Sequence, residues 1–230
     1  MGPYAVRAVV VRHDRCMPKF AQSERAALCD VFLDVGPDAP TLCGDWTTRD
    51  LAAHLVVREG RPDAAAGMFL PLLAGRLESI QRKVAETPWE KLVDKVRSGP
   101  PRVSPFGIPG VDEKANLSEF FIHHEDVLRA GDHPDARRDV SAEEQAELWK
   151  ILPRIGRMTL RGSRVGVVAD CPSHGRRSLR GPRDDHGNVV LTGAPGEVLL
   201  YIFGRGPVAD VELDGSDADV AAFSATSLGF

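Results

Sequence analysis

The chain has 230 residues, 43% of them hydrophobic, which is enough to bury a full core as one large domain or two small ones. A formal net charge of −4, with basic and acidic residues interspersed, offers no footprint for nucleic acid or an anionic membrane and directs attention to small-molecule or protein partners. Cys16, Cys29, Cys43 and Cys171 lack C-x-x-C spacing and the density of a secreted disulfide scaffold, so they are expected to be thiols of a cytoplasmic protein.

At the N-terminus, the apolar stretch at residues 5–11 is too short for a signal peptide, and no run approaches the roughly 20 residues that cross a bilayer. Met17-Pro-Lys-Phe-Ala-Gln-Ser leads straight into a helical pattern. Residues 1–16 therefore read as a disordered or mis-called extension, with an edge strand or surface segment as the alternative.

Residues 21–35 carry Ala26, Leu28, Val31, Phe32 and Leu33 at helical spacing, with Gly36 as a stop. After a Pro/Gly/Asp loop, Thr47 and Asp50 form a capping signature for a second helix, whose buried face is Leu51, Leu55 and Val56. A third helix is expected over 63–85, with Met68, Leu70, Leu73 and Leu77 inward and a kink at Gly67 or Pro71. Thr87-Pro-Trp-Glu90 opens a short helix with Thr87 as its cap, and 98–109 is a Pro/Gly loop.

A long helix over 112–130 ends at Gly131, and Ser141-Ala-Glu-Glu144 caps the next, which passes Trp149 and Leu152 and bends at Pro153. Beyond residue 160 the pattern changes. The runs 165–169 and 188–192 read as strands, 184–187 as a turn, 195–203 as a helix, 209–213 as a strand and 217–228 as a closing helix. The expected fold class is α+β: a helical bundle over 17–160 followed by a small α+β domain over 161–230.

Within the long helix, Glu119 and His123 stand four residues apart, so a carboxylate and an imidazole share one face and can share one ion. His54 lies on the apolar stripe of the second helix and completes a three-residue metal set with an open fourth position. Singly, His54 reads more simply as a core histidine bonded to a carbonyl, and Glu119 with His123 as a surface pair. Together they are harder to dismiss, because a buried carboxylate without a partner is costly.

His124 replaces His123 as ligand if the helix phase is misjudged. Asp126 and Asp50 are candidates to orient an imidazole from behind. Cys171-Pro-Ser-His174 has ligand types three apart but no second pair, so a structural loop is favoured. Gly-Arg-Gly at 204–206 is too short for a phosphate loop, and no dinucleotide fingerprint or serine elbow occurs.

Three segments read together carry a resemblance: Thr41-Leu-Cys-Gly-Asp-Trp-Thr-Thr-Arg-Asp-Leu-Ala-Ala-His54, Glu119-Phe-Phe-Ile-His-His-Glu-Asp126 and Gly193-Ala-Pro-Gly-Glu-Val-Leu-Leu-Tyr-Ile-Phe-Gly-Arg205. From Met17 onward the chain resembles the actinobacterial mycothiol-dependent maleylpyruvate isomerase family, most of all an uncharacterised metal-binding subgroup. The resemblance implies a DinB-like four-helix bundle holding a divalent ion, zinc first, through His54, Glu119 and His123. It also implies an active-site arginine at Arg205 and the thiol mycothiol as cosubstrate. Relatives carry Gly and Trp after the second histidine where His124 and Glu125 stand here, which leaves the substrate open.

The leading expectation is a metal- and thiol-dependent transferase or isomerase acting on an electrophilic or anionic small molecule, with Arg205 anchoring an anionic group. The alternatives are a metal-dependent hydrolase with Asp126 or Glu125 as base, and a non-catalytic metal protein whose shell is closed by His124 or Asp50. His and Glu also suit nickel, iron and manganese, so the ligand set alone leaves the metal open.

Overall fold

The computed structural model describes residues 20–60, 74–100, 111–131 and 137–229. The N-terminal extension and the first part of the third helix, with Met68, Leu70, Leu73, Gly67 and Pro71, lie outside these residues, as does most of the 98–109 loop.

Among the described residues five helices come first: α1 (Phe20–Val35), α2 (Thr48–Gly60), α3 (Ala74–Ala85), α4 (Trp89–Ser98) and α5 (Val111–Leu128). The α2 start forms as its sequence requires: the Thr47 backbone N–H and hydroxyl donate to Asp50 Oδ2 at 3.0 and 2.8 Å, and Asp50 N–H returns a bond to Thr47 Oγ1. This occupies Asp50 at the helix end, away from His54, so Asp50 neither orients His54 nor closes a metal shell. At α4 the expected Thr87 cap is absent; Pro88 holds the N-cap position, and Lys95 Nζ reaches Thr87 Oγ1 instead.

α6 (Ala142–Thr159) is capped as expected, Glu144 N–H donating to Ser141 Oγ at 3.2 Å, and it runs through Pro153 without ending. A four-stranded sheet follows, in the order β2-β1-β3-β4, from β1 (Gly166–Cys171), β2 (Gly175–Arg180), β3 (Asn188–Thr192) and β4 (Glu212–Asp214). β1 and β3 are parallel and the other pairs antiparallel. β2 escapes the sequence reading because Gly-Arg-Arg-Ser-Leu-Arg lacks β-branched residues. The Cys171–His174 loop is the tight turn joining β1 to β2, with His174 N–H donating to Cys171 O at 2.8 Å.

α7 (Pro195–Leu200) continues through a wide π-turn, Tyr201–Arg205, and α8 (Asp217–Ser224) closes the described chain four residues before the expected end at 228. β4 begins three residues after the expected start at 209. No described helix is long and apolar enough to cross a membrane.

Two hydrophobic cores result. Leu28 and Phe32 of α1, Leu51 and Leu55 of α2, Leu92 of α4 and Phe120 of α5 form the first. The second joins Leu148, Leu152 and Ile155 of α6 to Val167, Val189 and Leu191 of the sheet, with Val198, Phe223 and, from α5, Phe121 and Ile122. α6, which the sequence groups with the preceding helices, thus gives its buried face to the sheet. Adjacent phenylalanines of α5 serve different cores.

A buried ionic network ties these parts together. His124 Nδ1 lies 2.9 Å from Glu24 Oε2 on α1, and Arg138 donates to both Glu24 and Glu125. Arg129 bridges Glu125 and Glu197 of α7. Glu144, buried on α6 beside this network, has its carboxyl pushed up to about 8 by burial and by the negative charge of Glu24.

The unfolded chain would release that proton near 4.5 while the folded chain keeps it to about 8, so folding stability should fall as pH rises between these values and level off above. Glu144→Gln should flatten this part of the stability-versus-pH curve, as read by urea midpoints across the interval. An unchanged slope would place the titration elsewhere.

Candidate metal centre

His54 and Arg58 stand one turn apart on α2, and Glu119, Ile122 and His123 share a face of α5. The two helices bring one ligand atom each from His54, Glu119 and His123 to within 4.8 Å of one another. His54 Nε2 lies 3.4 Å and His123 Nε2 3.3 Å from the same Glu119 oxygen, Oε1. Behind the rings, Gln81 Nε2 of α3 is 3.1 Å from His54 Nδ1, and Asp126 Oδ2 is 2.9 Å from His123 Nδ1. Both imidazoles turn Nε2 to the carboxylate; at His123 the other nitrogen meets a carboxylate acceptor, the arrangement that orients metal-binding histidines, whereas His54 Nδ1 meets the Gln81 amide, which must turn its oxygen to Nδ1–H for Nε2 to bind an ion. Two imidazole nitrogens and one carboxylate oxygen fit zinc and other first-row divalent ions.

The electrostatics are compatible with a cation. Burial alone would raise the Glu119 carboxyl, but Arg58 and the bonds from His123 and His54 hold it well below the usual range. Burial lowers the His54 imidazole toward the neutral form a ligand needs. His123 goes the other way: Asp126, Cys43 and Glu119 outweigh burial and raise it well above normal, so an ion must displace a proton there.

Asp126 is fully buried and is the hub of the site. It accepts from Arg205 Nε at 2.8 Å and Arg205 Nη2 at 2.7 Å, and from the Cys43 thiol at 3.1 Å. Arg205 is aimed by the π-turn after α7, where Gly204 adopts φ +87°. Its remaining nitrogen, Nη1, donates to Phe203 O at 2.7 Å.

Cys43, His123 and Asp126 form a second group of ligand-type atoms sharing His123 with the first, through Nδ1 instead of Nε2. There Arg205 already balances Asp126 with two nitrogens, whereas one oxygen of Glu119 has both histidine Nε2 atoms within 3.4 Å of it, so a further cation is better accommodated at Glu119.

Cys43, His54, Glu119, His123 and Arg205 line a cavity of about 600 Å³. Leu42, Trp46, Ile155, Met158 and Phe203 give it apolar walls, and Arg58, Arg154 and Arg205 give it positive charge. His124 and Glu125, one and two positions past His123, point instead into the buried ionic network. Trp46, whose ring centroid is 5.1 Å from that of His54, Cys43, Arg58, Gln81 and Arg154 were not singled out from sequence. Arg58 had a readable signal in its place one turn after His54, and Cys43 and Trp46 lie within the 41–54 segment that carries the resemblance.

The sequence matches no known family model and no curated protein. Two solved structures match the fold, one of mycothiol-dependent maleylpyruvate isomerase and one of a histidine-to-alanine mutant of that enzyme, with TM-scores of 0.54 and 0.56. In both, sequence identity is 13%, and the match covers 85% of this chain and 90% of the other. At that identity the likeness concerns architecture: helices and a small sheet arranged as in mycothiol-dependent maleylpyruvate isomerase.

Proposed function

We propose that this protein is a divalent-metal enzyme, zinc first among the metals, that uses mycothiol as cosubstrate in a transfer or isomerisation reaction, with His54, Glu119 and His123 as ligands. The observation that carries the reading is the convergence of those three side chains on the wall of a cavity large enough for small molecules. The fold shared with mycothiol-dependent maleylpyruvate isomerase supports the choice of thiol, and reading the helices as a DinB-like bundle belongs to the same proposal.

A divalent ion bound there would act as a Lewis acid and lower the pKa of a thiol at its free position. The chain's own residues divide the remaining work. Gln81 and Asp126 fix the ring orientation of His54 and His123. Arg205 holds Asp126 in place and adds positive charge to the cavity, where it favours an anionic substrate group. Trp46, Phe203 and Ile155 exclude water around the reacting groups.

The residues named for the competing readings have other partners. Glu125 is fully buried against Arg129 and Arg138, and Asp126 lies behind His123 and Arg205, so neither lines the cavity as a hydrolytic base would. His124 and Asp50, the residues that would close a structural metal shell, are both committed elsewhere. The test is a mycothiol titration of the cobalt-substituted protein. A saturable change in the cobalt absorption bands is expected, and a metal-loaded protein whose spectrum ignores the thiol would overturn the assignment.

A further inference from the structure

Acidic and basic residues alternate along most of the chain, but one stretch is strongly basic. The thirty residues 154–183 hold eight arginines, no lysine and one acid, Asp170. That is a surplus of seven positive charges in a chain of net −4, leaving −11 for the rest. Arg154 and Arg157 of α6 and Arg161 in the turn just past its end stand at i, i+3 and i+7, all exposed. Beside them, Arg177 and Arg180 of β2 reach across to α6: Arg177 donates to Trp149 O at 3.2 Å with its guanidinium 4.5 Å from the Trp149 ring centre, and Arg180 donates to Arg161 O. With Arg183 they form a basic seam, and Arg157, Arg180 and Arg183 line a groove of about 390 Å³ within it.

β2 is one end of the sheet and β4 is the other. The β4 end is the electrical opposite. From Gly206 to Phe230 the sequence has five acids, Asp210, Glu212, Asp214, Asp217 and Asp219, and no lysine or arginine. The first four are exposed, whereas Asp219 is held by Ser216 and His186.

We infer that the occupant of the basic seam is a second copy of this chain, which docks the acidic β4 end of its sheet against Arg157, Arg180 and Arg183. Four exposed acids with no lysine or arginine among them at one sheet end complement the basic seam at the other. An extended polyanion such as nucleic acid fits less well, because beyond the seam it meets a surface of net negative charge. The contact joins different surfaces of the two copies, so it is head-to-tail and propagates to chains or closes to rings. Surface ion pairs are individually weak and are screened by salt, so association should be reversible and confined to low ionic strength.

Sedimentation equilibrium of the whole protein tests this independently of its catalytic activity. Between about 1 M and about 0.01 M salt the screening length grows from about 3 Å to about 30 Å. Over that change the average mass should rise from that of one 24.9 kDa chain to at least twice that value, increasing with protein concentration.

Arg157→Glu/Arg180→Glu/Arg183→Glu should stay single-chain at low salt, and so should Asp210→Lys/Glu212→Lys/Asp214→Lys. Mixed in equal amounts, the two variants should associate again, because each now complements the other; misfolded variants would not show this recovery. Wild type that remains single-chain at low salt would overturn the inference. So would association that survives either triple reversal, or a labelled oligonucleotide that binds at the seam of a protein that does not self-associate.

Discussion

Replacing His54 with alanine is expected to strip the purified protein of its divalent ion while leaving the helical content unchanged. The imidazole supplies one of three donor atoms, which lie within 4.8 Å of one another on two different helices. Residues that merely orient a ligand typically change affinity by about 10- to 100-fold, so loss of a ligand itself should exceed about 100-fold. His54 is packed against Trp46 and is bonded mainly within the site, so the truncation removes little of the first core. Elemental analysis beside circular dichroism reads both outcomes. Full metal content in the variant, lost on Cys43→Ala, would move the ion to the Cys43, His123 and Asp126 group.

Asp126→Asn should damage both the site and the fold. The carboxylate is fully buried and held down to about 2, because the bonds from His123 and Arg205 outweigh the effect of burial. The amide cannot balance the guanidinium, so Arg205 is left as an uncompensated, largely buried charge. Breaking one side of such a pair costs about 3–5 kcal/mol. Metal affinity should fall by about 10-fold or more as well, since the amide oxygen is a weaker acceptor for His123 Nδ1–H than the carboxylate and no longer raises the basicity of the ring.

Adding Arg205→Met to that variant should recover part of the stability without recovering the metal affinity, because with both charges removed none is left stranded. Urea unfolding and competition with a chromophoric chelator separate the two quantities. A single variant that unfolds at the wild-type midpoint would show that the Asp126–Arg205 pair contributes nothing net.

Elements with strong local signals are the ones the chain announces. Thr47 with Asp50, and Ser141 with Glu144, cap helices where their spacing says they should, and the β-branched run 188–192 is a strand. The i,i+4 spacing of Glu119 and His123 brings them onto one face with His54 opposite. What stays hidden depends on partners far away in the chain. β2 is a strand because β1 offers it a ladder and Leu179 a place beneath α6, against the low strand propensity of its arginines. Gln81 meets His54 through the packing of α3 on α2. Arg205 reaches Asp126 across 79 positions of sequence, so its spacing says nothing of that bond. His124 and Glu125 look like site residues by position, yet a helix turns each successive side chain by about 100°, which carries them round to Glu24, Arg129 and Arg138.

The division of α5 between two cores bears on how the protein comes apart. Phe120 is sealed among α1, α2 and α4, and Phe121 with Ile122 among α6 and the sheet, while Glu119 and His123 border them on the same helix. Neither half can loosen without disturbing α5, so an ion bound between α5 and α2, as proposed, would be thermodynamically linked to both. Its binding energy would act as a rivet through the whole molecule, raising the melting temperature of the two halves as one cooperative unit.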